Sequence, residues 1–212
     1  MTAKEVLIYL ARRIHTTVLA TADAQGLPVT AAVDMMDADE NGLYFLTARG
    51  KSLYDRLSRG GFAALTGIEG ADTMHSVAVS VRGNVREIGS GRLKDLFEKN
   101  PYMRTIYPTE ESRRALTVFC LYAGTGEWFD LSRRPIERFS FTFGGAADTA
   151  QSYSITDACS GCGACAAVCP QECIYTAVLP AVIRQEHCLH CGNCMRVCPS
   201  GAVVRGAAAG AQ

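Results

Sequence analysis

The chain opens on a helical stripe. In "AKEVLIYLARRI" the apolar positions Val6, Leu7, Leu10 and Ile14 fall three to four residues apart, as on one face of a helix. The period then drops to two. "TTVLATA" runs through the turn "DAQGLP" into "VTAAVDMM", and "DADENG" turns the chain again into "LYFLT". A short helix is predicted from about Lys51 to Arg59. A strand over "FAALTGI" follows, then a long alternating strand over "HSVAVSVRGNVREI" in which Gly83 is a candidate bulge. Two short helices, "GRLKDLFEKN" and "EESRRAL", precede the strands "TVFCLYAGTGEWFDL" and "IERFSFTF". About six strands with few helices predict a closed or nearly closed, mainly antiparallel barrel with flanking helices over residues 1–143.

After Phe143 the pattern changes. "GGAADTAQ", residues 144–151, reads as a flexible linker, and nine of the ten cysteines lie beyond residue 158. Cys159, Cys162, Cys165 and Cys169, followed by Pro170, spell C-x2-C-x2-C-x3-C-P. Cys188, Cys191, Cys194 and Cys198, followed by Pro199, spell it again 29 residues later. Three thiolates two residues apart on a tight loop can grip three corners of a cubane while the fourth leaves on a helical turn, and the proline helps fix where that turn goes. Gly161, Gly163 and Gly192 give the backbone freedom for amides to point at cluster sulfurs. Around the cysteines, "SYSI" with "AVV" and "CIYTAV" with "AVIR" can form two small antiparallel ribbons.

This run resembles the two-cluster bacterial ferredoxin domain, over residues 152–207, in which the fourth cysteine of each motif ligates the other cluster. The resemblance implies a small α+β domain over 152–212, with a short C-terminal tail. It also implies two [4Fe-4S] clusters, one on Cys159, Cys162, Cys165 and Cys198, the other on Cys188, Cys191, Cys194 and Cys169. A pair of zinc knuckles shares the C-x2-C spacing, but three close cysteines, a fourth and a proline in this order favour iron and sulfide. Cys173 is left over, as a fifth ligand or, the favoured reading, a small buried apolar residue. Cys120 reads as an inert core thiol. His187 and His190 flank Cys188 as ligating or potential-tuning groups or, in the favoured reading, as loop histidines.

Composition narrows the class. Of 212 residues 48% are apolar, and 21 basic side chains balance 21 acidic ones with no long block of one sign. That excludes the basic footprint of a nucleic-acid binder or a polybasic membrane anchor. Glu5, Arg12, Arg13 and His15 interrupt any signal-peptide core, and no apolar run nears the roughly 18 to 20 residues that cross a bilayer. A cytoplasmic protein is expected, and clustered cysteines in a reducing compartment point to metal.

One stretch of the barrel is more specific. In "LYFLTARGKSLYDRL" a strand ends on Thr47 and a short basic, glycine-containing turn leads through Lys51 and Ser52 into a helix start. A point charge, a hydroxyl and unpaired amides at a helix N-terminus suit a phosphate. With "LATADAQGLPVT" this resembles the FMN-binding split barrel of the pyridoxamine phosphate oxidase superfamily, over about residues 3–143. The resemblance implies that Thr47, Lys51 and Ser52, with Arg49 beside them, contact the FMN phosphate. It implies further that backbone near Ala32 and Val33 lies along the flavin and that the barrel is a homodimer with FMN at the interface. The family's Arg-x-His substrate clamp is missing: "LSRRPIERF" has Arg133, Arg134 and Arg138 but no histidine, so vitamin B6 oxidation is not expected. In the loop 100–115, Tyr102 and Tyr107 are candidates to stack on the flavin or to pack in a surface turn, with the turn favoured. His75 is a candidate acid but favoured as structural, and Trp128 fills the core or the dimer seam.

Together the two halves imply a flavoprotein oxidoreductase. It would pass electrons between a redox partner protein or soluble donor, two iron-sulfur clusters and a flavin that reduces or oxidises a small molecule. An electron carrier without its own substrate, its barrel serving for dimerisation and docking, is the alternative. A barrel holding haem or a deazaflavin in place of FMN is a third reading.

Overall fold

A threonine starts the first helix. Thr2 accepts the Glu5 amide while Glu5 takes the Thr2 amide at 2.7 Å, a reciprocal cap that opens α1 (Ala3–Tyr9). The apolar stripe then continues through a single π-helical turn, Leu10–Ile14, which stops at His15 with φ of 61°. This is a computed structural model, and it describes residues 1–207; the expected C-terminal tail lies outside the described residues.

The barrel strands follow the alternation in the sequence. They are β1 (Thr16–Ala22), β2 (Pro28–Asp39), β3 (Gly42–Ala48), β4 (Phe62–Gly70), β5 (Ser76–Gly89), β6 (Leu116–Asp130) and β7 (Glu137–Phe143). Helix α2 (Ser52–Gly60) joins β3 to β4, while α3 (Leu93–Lys99), α4 (Met103–Ile106) and α5 (Glu110–Arg113) lie between β5 and β6. The sheet order is β3-β2-β1-β4-β5-β6-β7, and β3 also pairs with β6 from Leu43↔Leu121 to Ala48↔Leu116. Six antiparallel strands therefore close on themselves, with β7 added beside β6. Inward positions are filled by large apolar groups: Leu19, Met35 and Leu121 are fully buried, and the Phe45 and Phe119 rings stack at 5.9 Å. Each such side chain contributes roughly 1.5–3 kcal/mol by leaving water.

Gly83 proves to mark a close approach of two backbones. A Cβ there would sit 2.2 Å from Ala123 O, and one on Gly124 would sit 2.2 Å from Arg82 O. Within the pairing of β2 with β3 the register shifts between Met35 and Asp37. The loop 100–115 holds α4, whose Met103 is buried, and α5, which covers only four residues of "EESRRAL".

The chain divides into two compact units. One comprises Met1–Gly70, Ala78–Glu127 and Phe141–Ala147; the other comprises Ala71–Val77, Trp128–Ser140 and the chain from Asp148. In the second, β8 (Gln151–Ile155) pairs with β11 (Val203–Ala207), and β9 (Ile174–Tyr175) with β10 (Val182–Ile183). These are the two expected ribbons. Helices α6 (Ala164–Ala167) and α7 (Asn193–Val197) each begin after a left-handed glycine, Gly163 at φ 74° and Gly192 at φ 76°. Trp128 is buried and stacks on Phe139 at 6.1 Å, which settles it as a core residue. Residues 144–150 form neither helix nor strand. Among the described residues no helix is long and apolar enough to cross a membrane.

Candidate cofactor sites

The cysteine motifs fold back on each other. Each motif runs along a loop into a short helix, so its first three sulfurs face one cavity while its fourth is carried onward. One cavity, about 360 Å3 with its solvent-open space, is lined by Cys159, Cys162, Cys165 and Cys198. The other, about 350 Å3, is lined by Cys188, Cys191, Cys194 and Cys169, together with Cys173. Each cavity thus draws three cysteines from one motif and the fourth from the other. Among the described residues no three His, Cys, Asp or Glu side chains converge closely enough to hold a single metal ion. A zinc site would need four sulfurs about 2.3 Å from one point. Four thiols spread around a walled cavity suit a cluster several atoms across, and the donor set is all sulfur, as iron-sulfur clusters take.

Cys173 occupies a particular place. It is 3% exposed, its Sγ lies 3.5 Å from Cys169 Sγ, and its thiol also hydrogen-bonds Cys188. Contact with Cys188, burial and contact with Cys169 push the Cys173 thiol up, so it keeps its proton. The same hydrogen bond, donated by Cys173, pulls the Cys188 thiol down. His187 Nδ1 donates to Ile136 O at 3.0 Å, and His190, at φ 55°, meets the Tyr153 ring edge-on. Neither histidine lines a cysteine cavity. Cys120 is 1% exposed with its thiol pushed up by burial, as expected of an inert core residue.

In the barrel, β3 delivers Thr47 to the turn before α2. Thr47 is 3% exposed, and its Oγ1 is a buried hydroxyl with no hydrogen-bond partner among the described residues. An unmade bond of this kind costs about 1–3 kcal/mol unless something outside the fold completes it. Lys51 is the N-cap of α2 and Ser52 its first residue; both are exposed, and the Ser52 and Leu53 amides open the helix without an intrahelical acceptor. Hydroxyl, amides and ammonium group on one turn fit a phosphate. Arg49 is already engaged, with Glu87 Oε1 at 3.4 Å and Arg114 O at 3.3 Å. It lines a cleft of about 1120 Å3, open to solvent, with Lys94, Arg104, Arg113 and Arg114; Thr47, Lys51 and Ser52 do not line it. The β2 and β3 pairing ends at Met35↔Phe45, so Val33 and Thr47 each lie two residues past the last pair on facing strands. Val33 is buried and Ala32 exposed.

A cluster not foreseen in the sequence gathers beside β2. Tyr102 donates to Asp34 Oδ2 at 2.6 Å and meets His15 Nε2 at 3.0 Å, while Thr16 donates to Asp34 Oδ1 at 2.7 Å. Burial opposes charge on Asp34, but the bonds from Tyr102 and Thr16 and the nearby His15 prevail and hold its carboxyl below the usual range. Burial and then the bond to Asp34 push the Tyr102 phenol up. Tyr102 is thus tied into a polar cluster, while His75, exposed, pairs with Asp72 at 2.9 Å. The signal for this cluster lay in a polar Asp34 breaking "AAVDMM", yet its partners come from segments 19 residues before and 68 after it.

Comparison with known proteins agrees with both halves. A family model described as pyridoxamine 5′-phosphate oxidase matches residues 4–127, and one described as a 4Fe-4S dicluster domain matches residues 158–202. Among solved structures, a NimC/NimA family protein from Clostridium acetobutylicum is 14% identical, with 66% of this chain and 92% of that one covered and a TM-score of 0.54. A heme binding protein from Mycobacterium smegmatis is 15% identical over 67% of this chain and 58% of that one, at a TM-score of 0.52. A protein related to general stress protein 26, from Clostridium acetobutylicum, is 15% identical over 66% and 95%, at 0.50. At such identities these likenesses show the fold alone. No curated protein matches the chain significantly.

Proposed function

Since the chain belongs to the pyridoxamine 5′-phosphate oxidase family through its barrel and carries a 4Fe-4S dicluster domain after it, we propose that it is an FMN and iron-sulfur oxidoreductase. In this reading electrons pass between a redox partner or soluble donor, two [4Fe-4S] clusters and a flavin that reduces or oxidises a small molecule. The observation that carries it is the sorting of eight cysteines into two cavities, each completed by the other motif. Cys159, Cys162, Cys165 and Cys198 hold one cluster, and Cys188, Cys191, Cys194 and Cys169 the other.

In the barrel, Thr47, Lys51 and Ser52 take the flavin phosphate, with Arg49 held beside them by Glu87. Backbone at Ala32 and Val33 runs along the ring system. When bound, FMN takes up electrons singly or in pairs, whereas each cluster passes one at a time. The missing histidine in "LSRRPIERF" argues against vitamin B6 as the substrate.

A second copy of the chain completes the assembly. Val18 is 56% exposed and pairs with Ala32 on one side and Thr66 on the other, so these side chains share one face of the sheet. Ile68, 65% exposed, extends the same face from β4. Apolar surface of this kind suits a self-complementary contact.

An anaerobic reductive titration tests the relay. Two one-electron clusters and one two-electron flavin give an expected uptake of about four electrons per chain. Uptake of about two, with no flavin bleaching, would overturn the flavin half of the proposal.

A further inference from the structure

The two cysteine motifs are repeats, but the cavities they build are not alike. At the repeat offset of 29 residues, Cys173 corresponds to Ala202. Ala202 is wholly buried and does not line its cavity, whereas Cys173 lines the other and is in contact with two of its sulfurs. Its Sγ is 3.5 Å from Cys169 Sγ, and it hydrogen-bonds Cys188. Those two residues come from different motifs yet face the same cavity, so one thiol touches both halves of one ligand set. The cavity of Cys159 has no counterpart among the described residues. There a side-chain hydroxyl, Ser200 Oγ, lies 3.6 Å from the single sulfur of Cys198, which is half-buried.

We infer that Cys173 is a positioning residue that makes the two clusters unequal, giving the one held by Cys169, Cys188, Cys191 and Cys194 the higher reduction potential. The inference rests on the assignment of a [4Fe-4S] cluster to each cavity. Its physical basis is simple. A reduced cluster carries one more negative charge, spread largely over its sulfurs, and a thiol S–H directed at ligand sulfurs favours that state. Burial strengthens the effect, because little water competes for the same sulfurs. Cys173 is not needed as a ligand, since four other cysteines complete the set. Electrons entering the domain therefore come to rest first on this cluster, which gives the relay a preferred order.

The experiment uses the full chain, loaded anaerobically, with iron and sulfide assayed on each sample and both clusters followed by electron paramagnetic resonance during a potentiometric titration. The wild-type protein is expected to reduce in two resolved one-electron steps. In Cys173→Ala the higher step moves negative by about tenfold in electron occupancy, ~59 mV for a one-electron couple, and the lower step stays in place. Cys173→Ser, which keeps a donor, leaves the higher step close to its wild-type position. Should the alanine variant fail to assemble, Cys173→Val, which fills the space without a donor, is expected to show the same negative shift. Full loading with neither step moved, or both moved equally, overturns the inference. A wild-type chain that takes up no more than four irons overturns the two-cluster assignment instead, and the inference falls with it.

Discussion

At the residue scale, Thr47 and Asp34 separate two kinds of polar side chain. Thr47 has a buried hydroxyl with nothing in the fold to bond it, so removing it costs the fold little and any phosphate ligand much. Thr47→Val is expected to weaken FMN binding about five- to tenfold in a fluorescence titration, with the unfolding midpoint unchanged or raised. Unchanged affinity would remove Thr47 from the site. Asp34 is the reverse case, bonded three ways by side chains of the protein. Its folded pKa lies below the ordinary 3.8, so it stabilises the fold above that pH and the benefit is lost as pH falls through the depressed value. Asp34→Asn is therefore expected to be less stable than wild type at pH 7, with the gap closing as pH falls below the ordinary 3.8. Denaturant titrations at several pH values check this, and a gap that persists in acid would assign the cost to geometry instead of charge.

At the element scale, Gly83 and Gly124 let two strands of the barrel wall come close. With Ala123 O only 2.2 Å from where a Cβ would stand, Gly83→Ala must push backbone and not a flexible side chain. A loss of about 3 kcal/mol is expected in urea unfolding; a neutral result would mean that β5 and β6 can part at no cost. Much of this architecture was legible in the sequence. The alternation in "TTVLATA" gave β1 to the residue, and the ribbon of "SYSI" with "AVV" is β8 with β11. What could not be read has a physical cause. An apolar stripe looks the same whether the backbone winds as an α or a π turn, so the switch at Leu10 left no mark. Between Pro101 and Pro108 the tyrosine-rich stretch has the composition of a loop, and α4 forms there because Met103 is drawn into the core. The cluster of His15, Asp34 and Tyr102 arises only when three distant segments meet. The cysteines are the opposite case: the resemblance to the two-cluster ferredoxin domain implied that each fourth thiol joins the other motif, and the fold carries each one across.

At the scale of the whole molecule, two self-contained sites share one chain, and the proposed dimer rests on the exposed face of β1, β2 and β4. Val18→Glu combined with Ile68→Glu puts charge into that face and is expected to turn a dimer into a monomer by light scattering, with far-ultraviolet dichroism unchanged. A wild-type monomer would instead leave the face to another partner. The proposed relay requires both cofactors in one protein. The most direct measurement is to purify the chain without oxygen and to determine iron, acid-labile sulfide and FMN on the same sample as its absorption spectrum. About eight irons, eight sulfides and one FMN per chain are expected. Eight irons with no flavin would contradict the proposal, leaving the dicluster domain in place and removing the barrel from the relay.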